Sequence, residues 1–236
     1  MKLYLRGTFP MVFTVGNLLC GFLSLYYIVK GHFISAAWLI IVAWFLDGFD
    51  GKVARLTGSV SRFGVELDSL ADLCSFGLAP ACLIVQTQLH ALKGWGIAIG
   101  FLFFACGAIR LARFNVQLKS FAKEHFTGLP IPSAAVAIAS YLLFSQEIWL
   151  RLQSATFSAG LIVVLSLLMI STLEYDALKF SLDSWWDRCK MGVLIGGALI
   201  VALFPNEALF PLSMMYVSSG IIRRIVHRLA GEGAAI

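Results

Sequence analysis

Charge is scarce in this chain, and where it occurs it is clustered. Charged residues make up 13% of the 236 positions against 59% hydrophobic, with a mean hydropathy of +0.86. Ordinary soluble domains carry about 25% charged residues, so a water-exposed globular surface is excluded and an integral membrane protein is expected. Polar stretches long enough for a separate soluble domain are missing, as are internal repeats and low-complexity segments, so residues 1–236 read as a single integral-membrane domain. The five cysteines, Cys20, Cys74, Cys82, Cys106 and Cys189, form no CxxC pair, and most lie in apolar runs. That pattern speaks against a redox motif or a thiolate metal site and for reduced packing residues.

What fills the chain is a succession of apolar runs bounded by charges, Gly or Pro. They predict an all-α bundle of about eight spans, near 11–29, 33–55, 64–88, 94–116, 132–149, 155–173, 189–204 and 207–226. Lys2 and Arg6 before the first run resemble a signal peptide, but the run is too long and has no small-residue cleavage pattern, so a retained span is expected. Alternate loops divide the basic residues unequally. One side holds only Lys30, Lys93 and Arg151, and the other holds the remaining fifteen of the eighteen Lys and Arg. By the positive-inside bias this predicts both termini in the cytoplasm of a multi-pass protein of the cell membrane. The net charge of +5 then reports topology and contact with anionic membrane lipids rather than nucleic acid. Between Tyr175 and Lys190, mixed charges with Trp185 and Trp186 predict a short interfacial helix.

Against this background residues 47–72, DGFDGKVARLTGSVSRFGVELDSLAD, are anomalous: Asp47, Asp50, Asp68 and Asp72 account for four of the thirteen acidic residues. A carboxylate in the middle of a membrane helix costs roughly 2.5–3.5 kcal/mol on insertion scales, so its default reading is a functional site facing a cavity. Asp47 and Asp50 are three residues apart and Asp68 and Asp72 four apart, which puts each pair on one helix face. Small residues on the same faces, Gly48, Gly51, Ala54 and Gly58 on one and Gly64, Ala71, Ser75 and Ala79 on the other, allow close approach. Facing carboxylates about 4 Å apart repel by roughly 4 kcal/mol at an effective dielectric of 20, so a cation is required. The bland alternative supplies it from Lys52, Arg55 and Arg62 in a charged hairpin. The sharper one is a hard divalent ion, since the donors are all oxygen with no nearby His or Cys. Two such ions would suit in-line phosphoryl chemistry. An ion-conducting path is a third reading, but it calls for acids at several depths on many helices, whereas these sit together near the cytoplasmic face.

Asp47, Asp50, Gly51, Ala54, Arg55, Gly64, Asp68 and Asp72 match in type and spacing the pattern DxxDGxxAR, eight residues, GxxxDxxxD. In this the chain resembles the CDP-alcohol phosphotransferase family. The resemblance implies that Asp47, Asp50 and Asp68 bind Mg2+ or Mn2+, with two ions expected, and that Asp72 binds metal or takes the proton from the attacking hydroxyl. It further implies that Gly51, Ala54 and Gly64 let the cytidine nucleotide approach the backbone, and that Arg55 neutralises substrate phosphate or braces the acids. A homodimer is expected on the same ground.

The motif leaves the acceptor alcohol open among serine, choline, glycerol phosphate and inositol. Leu73 stands where members using phosphorylated acceptors carry Lys. LDSLADLCSFGLAPA from Leu67, IRLARFNV from Ile109 and FTGLPIPSAA from Phe126, with TVGNLLCGF from Thr14, resemble the serine-using members. That likeness implies CDP-diacylglycerol as donor and L-serine as acceptor. Arg110 and Arg113 would then meet a diphosphate or the serine carboxylate in paired geometry, the plainer reading being anchors at the membrane edge. Asn17 would bond the nucleotide or another helix, and the turn Thr127–Pro132 would close the pocket or merely link two helices. His125 lies in a basic loop, and His32, His90 and His227 lie near span ends. A separate class of serine-using enzymes employs a nucleophilic His in an HxKxxxxD pattern; none of the four histidines begins one, which favours direct attack by the acceptor hydroxyl.

Overall fold

The computed structural model describes residues 2–57, 62–119, 128–148, 154–173, 175, 201 and 203–232, with side chains over 11–49, 63–117, 128–147, 154–173, 175, 201 and 203–225. Among them there is no strand. The elements are α1 (Lys2–Val29), α2 (Phe33–Thr57), α3 (Arg62–Asp72), a π-helical turn (Leu73–Leu78), α4 (Ala79–Thr87), a 3-10 turn (His90–Leu92), α5 (Gly94–Lys119), α6 (Ile131–Ile148), α7 (Ala155–Ile170) and α8 (Pro205–Glu232). These follow the expected apolar segments, with two differences in bounds: α1 begins at Lys2 rather than near 11, and α8 runs to Glu232 rather than 226; residues 189–200 of the expected 189–204 segment lie outside the described residues. Met11–Val29, Phe63–Thr87 and Gly94–Gln117 are long and apolar enough to cross a membrane, and Phe33–Phe49 and Ala155–Ile170 are shorter apolar helices.

The hairpin of α1 and α2 is closed by Gly31, whose φ of 79° suits a residue without a Cβ. Its N–H bonds Ile28 O at 3.0 Å while His32 N–H bonds Tyr27 O at 2.9 Å. This double closure satisfies carbonyls that would otherwise be orphaned at the helix end. Ser24 Oγ then donates to Ala36 O at 3.0 Å and ties the two helices beside the turn.

From Arg62 to Thr87 the chain is one helical rod interrupted by the π turn. Pro80 explains the interruption. It has no N–H to give and its ring presses on the carbonyl one turn earlier, so an unbroken α-helix through it is penalised. Widening the preceding turn relieves the clash, and Ala79 N–H accordingly bonds Cys74 O, five residues back.

The centre of the bundle is α6, whose Ala134, Ala135, Ala137, Ala139 and Ser140 are fully buried. Such small side chains let helices approach where lipid provides no hydrophobic drive between them. α6 packs against α2 and α8, and α7 packs against α5. Buried polar groups here have no water to turn to. Tyr141, fully buried, has its hydroxyl 3.2 Å from Ser158 Oγ and its ring 5.2 Å from that of Phe210.

One end of the bundle is fastened around the last turn of α7. Arg113 Nη1 donates to Ile170 O at 3.2 Å, Leu129 N–H to Leu168 O at 3.0 Å and Gly128 N–H to Leu173 O at 2.8 Å. Tyr175 Oη donates to Val217 O at 3.2 Å, with its ring against Gly220, so the same junction holds α8. Burial and the neighbouring Tyr216 push the Tyr175 phenol up to about 12, which keeps it a donor.

Candidate active site

α1, α2 and α3 converge on one cluster of carboxylates. Asp47 from α2 and Asp68 and Asp72 from α3 each present an oxygen, and these lie within 4.8 Å of one another. Asp72 is 8% exposed and the other two are half-buried. Asp72 sits immediately before the π turn, and α1 is pressed against that turn. Ser75 Oγ donates to Asn17 O at 2.9 Å, and a Cβ at Gly21 would meet Ser75 Cα at 2.8 Å. This contact fixes the height of Asn17, fully buried on α1, whose Nδ2 donates to Asp72 Oδ1 at 3.1 Å.

Three carboxylates so close repel strongly unless a cation lies among them. The donor set fits a hard divalent ion. It is all oxygen, and ligand oxygens on opposite sides of such an ion lie about 4–5 Å apart. Asn17 Oδ1 is a further buried oxygen with no hydrogen-bond partner among the described residues. Since Nδ2 must face the carboxylate, that oxygen cannot be satisfied by flipping the amide. A buried unpaired acceptor beside an acidic cluster is what a site awaiting a bound group leaves.

On the α5 side stands Arg110, half-buried, within electrostatic reach of both Asp72 and Tyr216. Its guanidinium lies 5.9 Å from the centroid of the Phe114 ring, and its Nε is buried with no hydrogen-bond partner among the described residues. Arg113, three residues on, is directed elsewhere, to the α7 carbonyl of Ile170. The structure therefore separates the two arginines that the sequence pairs, because α7 lies beside Arg113.

Asn17, Asp47, Asp68, Asp72 and Arg110 are thus brought together. Gly64 lies one turn before Asp68 on α3 and is half-buried. Gly51, Ala54 and Arg55 fall within α2, but their side-chain surroundings, like those of Asp50, Lys52 and Arg62, lie outside the described residues, as do Thr127, His125 and the 176–190 segment. Of the proline turn, Gly128 has a φ of 89°, and its N–H and that of Leu129 fasten it to α7. Two contacts at the site were not assigned from the sequence. Ser75, taken only as a small residue, bonds α1, and Asn115 bonds Ser69 of α3. The polar Asn115 in the apolar run of α5 was the available signal for the second.

A family profile described as CDP-alcohol phosphatidyltransferase matches residues 7–171, which contain all five converging residues. The chain belongs to the CDP-alcohol phosphatidyltransferase family. A CDP-diacylglycerol--serine O-phosphatidyltransferase of Helicobacter pylori strain J99 is 38% identical over 218 residues, covering 92% of this chain and 91% of that protein. The enzyme of the same name from Bacillus subtilis strain 168 is 34% identical over 170 residues, 72% of this chain and 90% of that protein. An archaetidylserine synthase of Methanothermobacter thermautotrophicus is 39% identical over 170 residues, 70% of this chain and 68% of that protein. The family match ends at residue 171, so α8 lies beyond it.

Proposed function

We propose that the protein transfers the phosphatidyl group of CDP-diacylglycerol to the hydroxyl of L-serine, giving phosphatidylserine and CMP. The observation that carries this reading is the convergence of the motif acids Asp47, Asp68 and Asp72 in a family of which the relatives described above are named for serine. Those three carboxylates, with Asp50 as the fourth motif acid, would hold Mg2+ or Mn2+, in one or two positions. The ion supplies charge stabilisation at the diphosphate oxygens when bound.

Asp72 takes the proton of the serine hydroxyl. The serine oxygen then forms a bond to the phosphatidyl phosphorus, the bond to the CMP oxygen breaks, and its electron pair leaves with CMP. Asn17, by donating to one Asp72 oxygen, orients the carboxylate so that its second oxygen is directed to the acceptor. Arg110, with a buried Nε that has no partner among the described residues and with Asp72 in electrostatic reach, holds an oxyanion of the donor diphosphate or the serine carboxylate. By the family likeness, Gly51, Ala54 and Gly64 would let the nucleotide approach the backbone, and Arg55 would neutralise its phosphates or brace the acids.

The unequal division of basic residues supports eight spans in the cytoplasmic membrane, both termini inside and the site open to the cytosol. The family likeness supports a homodimer. The test is an acceptor screen with purified protein, CDP-diacylglycerol and Mn2+ or Mg2+, following CMP and the lipid product. CMP and phosphatidylserine with serine, and little turnover with choline, glycerol phosphate or inositol, are expected; turnover with one of those alcohols in place of serine sinks the choice of acceptor.

A further inference from the structure

Asp68 and Asp72 reach the site on a helix whose register is broken just beyond them, by the π turn at Leu73–Leu78. With the regular hydrogen-bond ladder interrupted there, contacts outside the rod must fix which way the acidic edge of α3 faces. On one side α1 does this through Asn17. On the other, Ser69, which lies between the two acids in sequence, meets Asn115 of α5. Asn115 Nδ2 donates to Ser69 Oγ at 2.9 Å, while the Ser69 hydroxyl has Val65 O at 3.0 Å and Asn115 Oδ1 at 3.2 Å as acceptors. A hydroxyl has one proton and two lone pairs, so the pair stays joined whichever acceptor Ser69 chooses. Both residues are half-buried, so solvent competes only in part for the hydrogen bonds between them.

We propose that Asn115 is a positioning residue for the metal site: through Ser69 it sets the rotation of α3 that brings Asp68 and Asp72 to Asp47. The inference rests on the metal-site reading above and adds to it a residue that would touch neither ion nor substrate. Groups that orient ligating carboxylates typically change metal affinity by roughly 10- to 100-fold when removed.

The test is Mn2+ binding to the full-length protein in detergent, without substrates, followed by the loss of the free-ion electron paramagnetic resonance signal. Asn115→Ala and Ser69→Ala should each weaken Mn2+ binding about 10-fold, the double variant no further than either alone, and Ser69→Thr, which keeps the hydroxyl, should bind as the wild type does. Should Asn115→Ala lose its helical circular dichroism, the Ser69→Ala and Ser69→Thr comparison still decides. Unchanged binding in the Ser69→Ala and Asn115→Ala proteins, or strictly additive losses in the double, overturns the inference while leaving the metal site standing. A wild-type protein that takes up no Mn2+ overturns the metal-site reading itself, a separately visible failure.

Discussion

Asp72 carries most of the proposed chemistry, and its surroundings show why a carboxylate is tolerated so deep in the bundle. It accepts a hydrogen bond from Asn17 and shares a cluster with two further acids that together call for a cation. Replacing it by Asn keeps the shape and an oxygen for Asn17 while removing the base. Asp72→Asn should therefore lower the rate of CMP release by roughly 10²- to 10⁴-fold, with the unfolding temperature in detergent close to that of the wild type. Substantial residual turnover in a folded Asp72→Asn protein would remove Asp72 from the role of base. The aspartates could be read from the sequence because acids are costly in apolar helices and because spacings of three and four mark one face. The separation of Arg110 from Arg113 could not, since it depends on the last carbonyl of α7, Ile170, 57 residues away along the chain.

At the scale of elements, the site depends on how closely α1 meets the π turn. Gly21 permits this contact, and a methyl group there would overlap the backbone of Ser75. Overpacking of this kind typically costs 1–3 kcal/mol, and it would also draw Asn17, one turn away, off Asp72. Gly21→Ala should therefore lower both thermal stability and activity. Gly160→Ala on α7, where a Cβ meets nothing within 4 Å, should leave both near wild-type values. Equal melting temperatures for the two variants would show that the α1 contact is looser than described. Helix positions were legible from apolar runs and their Gly, Pro and charge boundaries. The π turn was not, although Pro80 inside an apolar run marks where a regular helix is strained. Periodicity reports which face is apolar, whereas the Ser69–Asn115 and Ser75–Asn17 bonds join residues 46 and 58 positions apart and depend on which helices become neighbours.

At the scale of the whole molecule, a family scaffold over residues 7–171 packs against α8, the last described helix, which lies beyond that match, and the two meet where Ser140 Oγ lies 3.4 Å from Ser213 Oγ and the Tyr141 ring lies 5.2 Å from that of Phe210. The proposed orientation makes a prediction for the loops. In a protein whose own cysteines are replaced, a single cysteine at Gly31 or at Lys93 should react from outside intact cells with a membrane-impermeant thiol reagent. One at Ser120 should react only after the membrane is opened. The reverse pattern would invert the topology and put the aspartates on the wrong side for a cytosolic nucleotide.

The proposed transfer to serine depends on divalent metal held by the carboxylates of Asp47, Asp68 and Asp72. Incorporation of labelled serine into lipid by the purified protein, supplied with CDP-diacylglycerol and measured before and after chelation of divalent ions, tests it most directly. Incorporation with stoichiometric CMP, its loss on chelation, and its return when Mn2+ or Mg2+ is restored are expected. Incorporation that persists undiminished through chelation, or no incorporation of serine while the lipid donor is consumed with another alcohol, would contradict it.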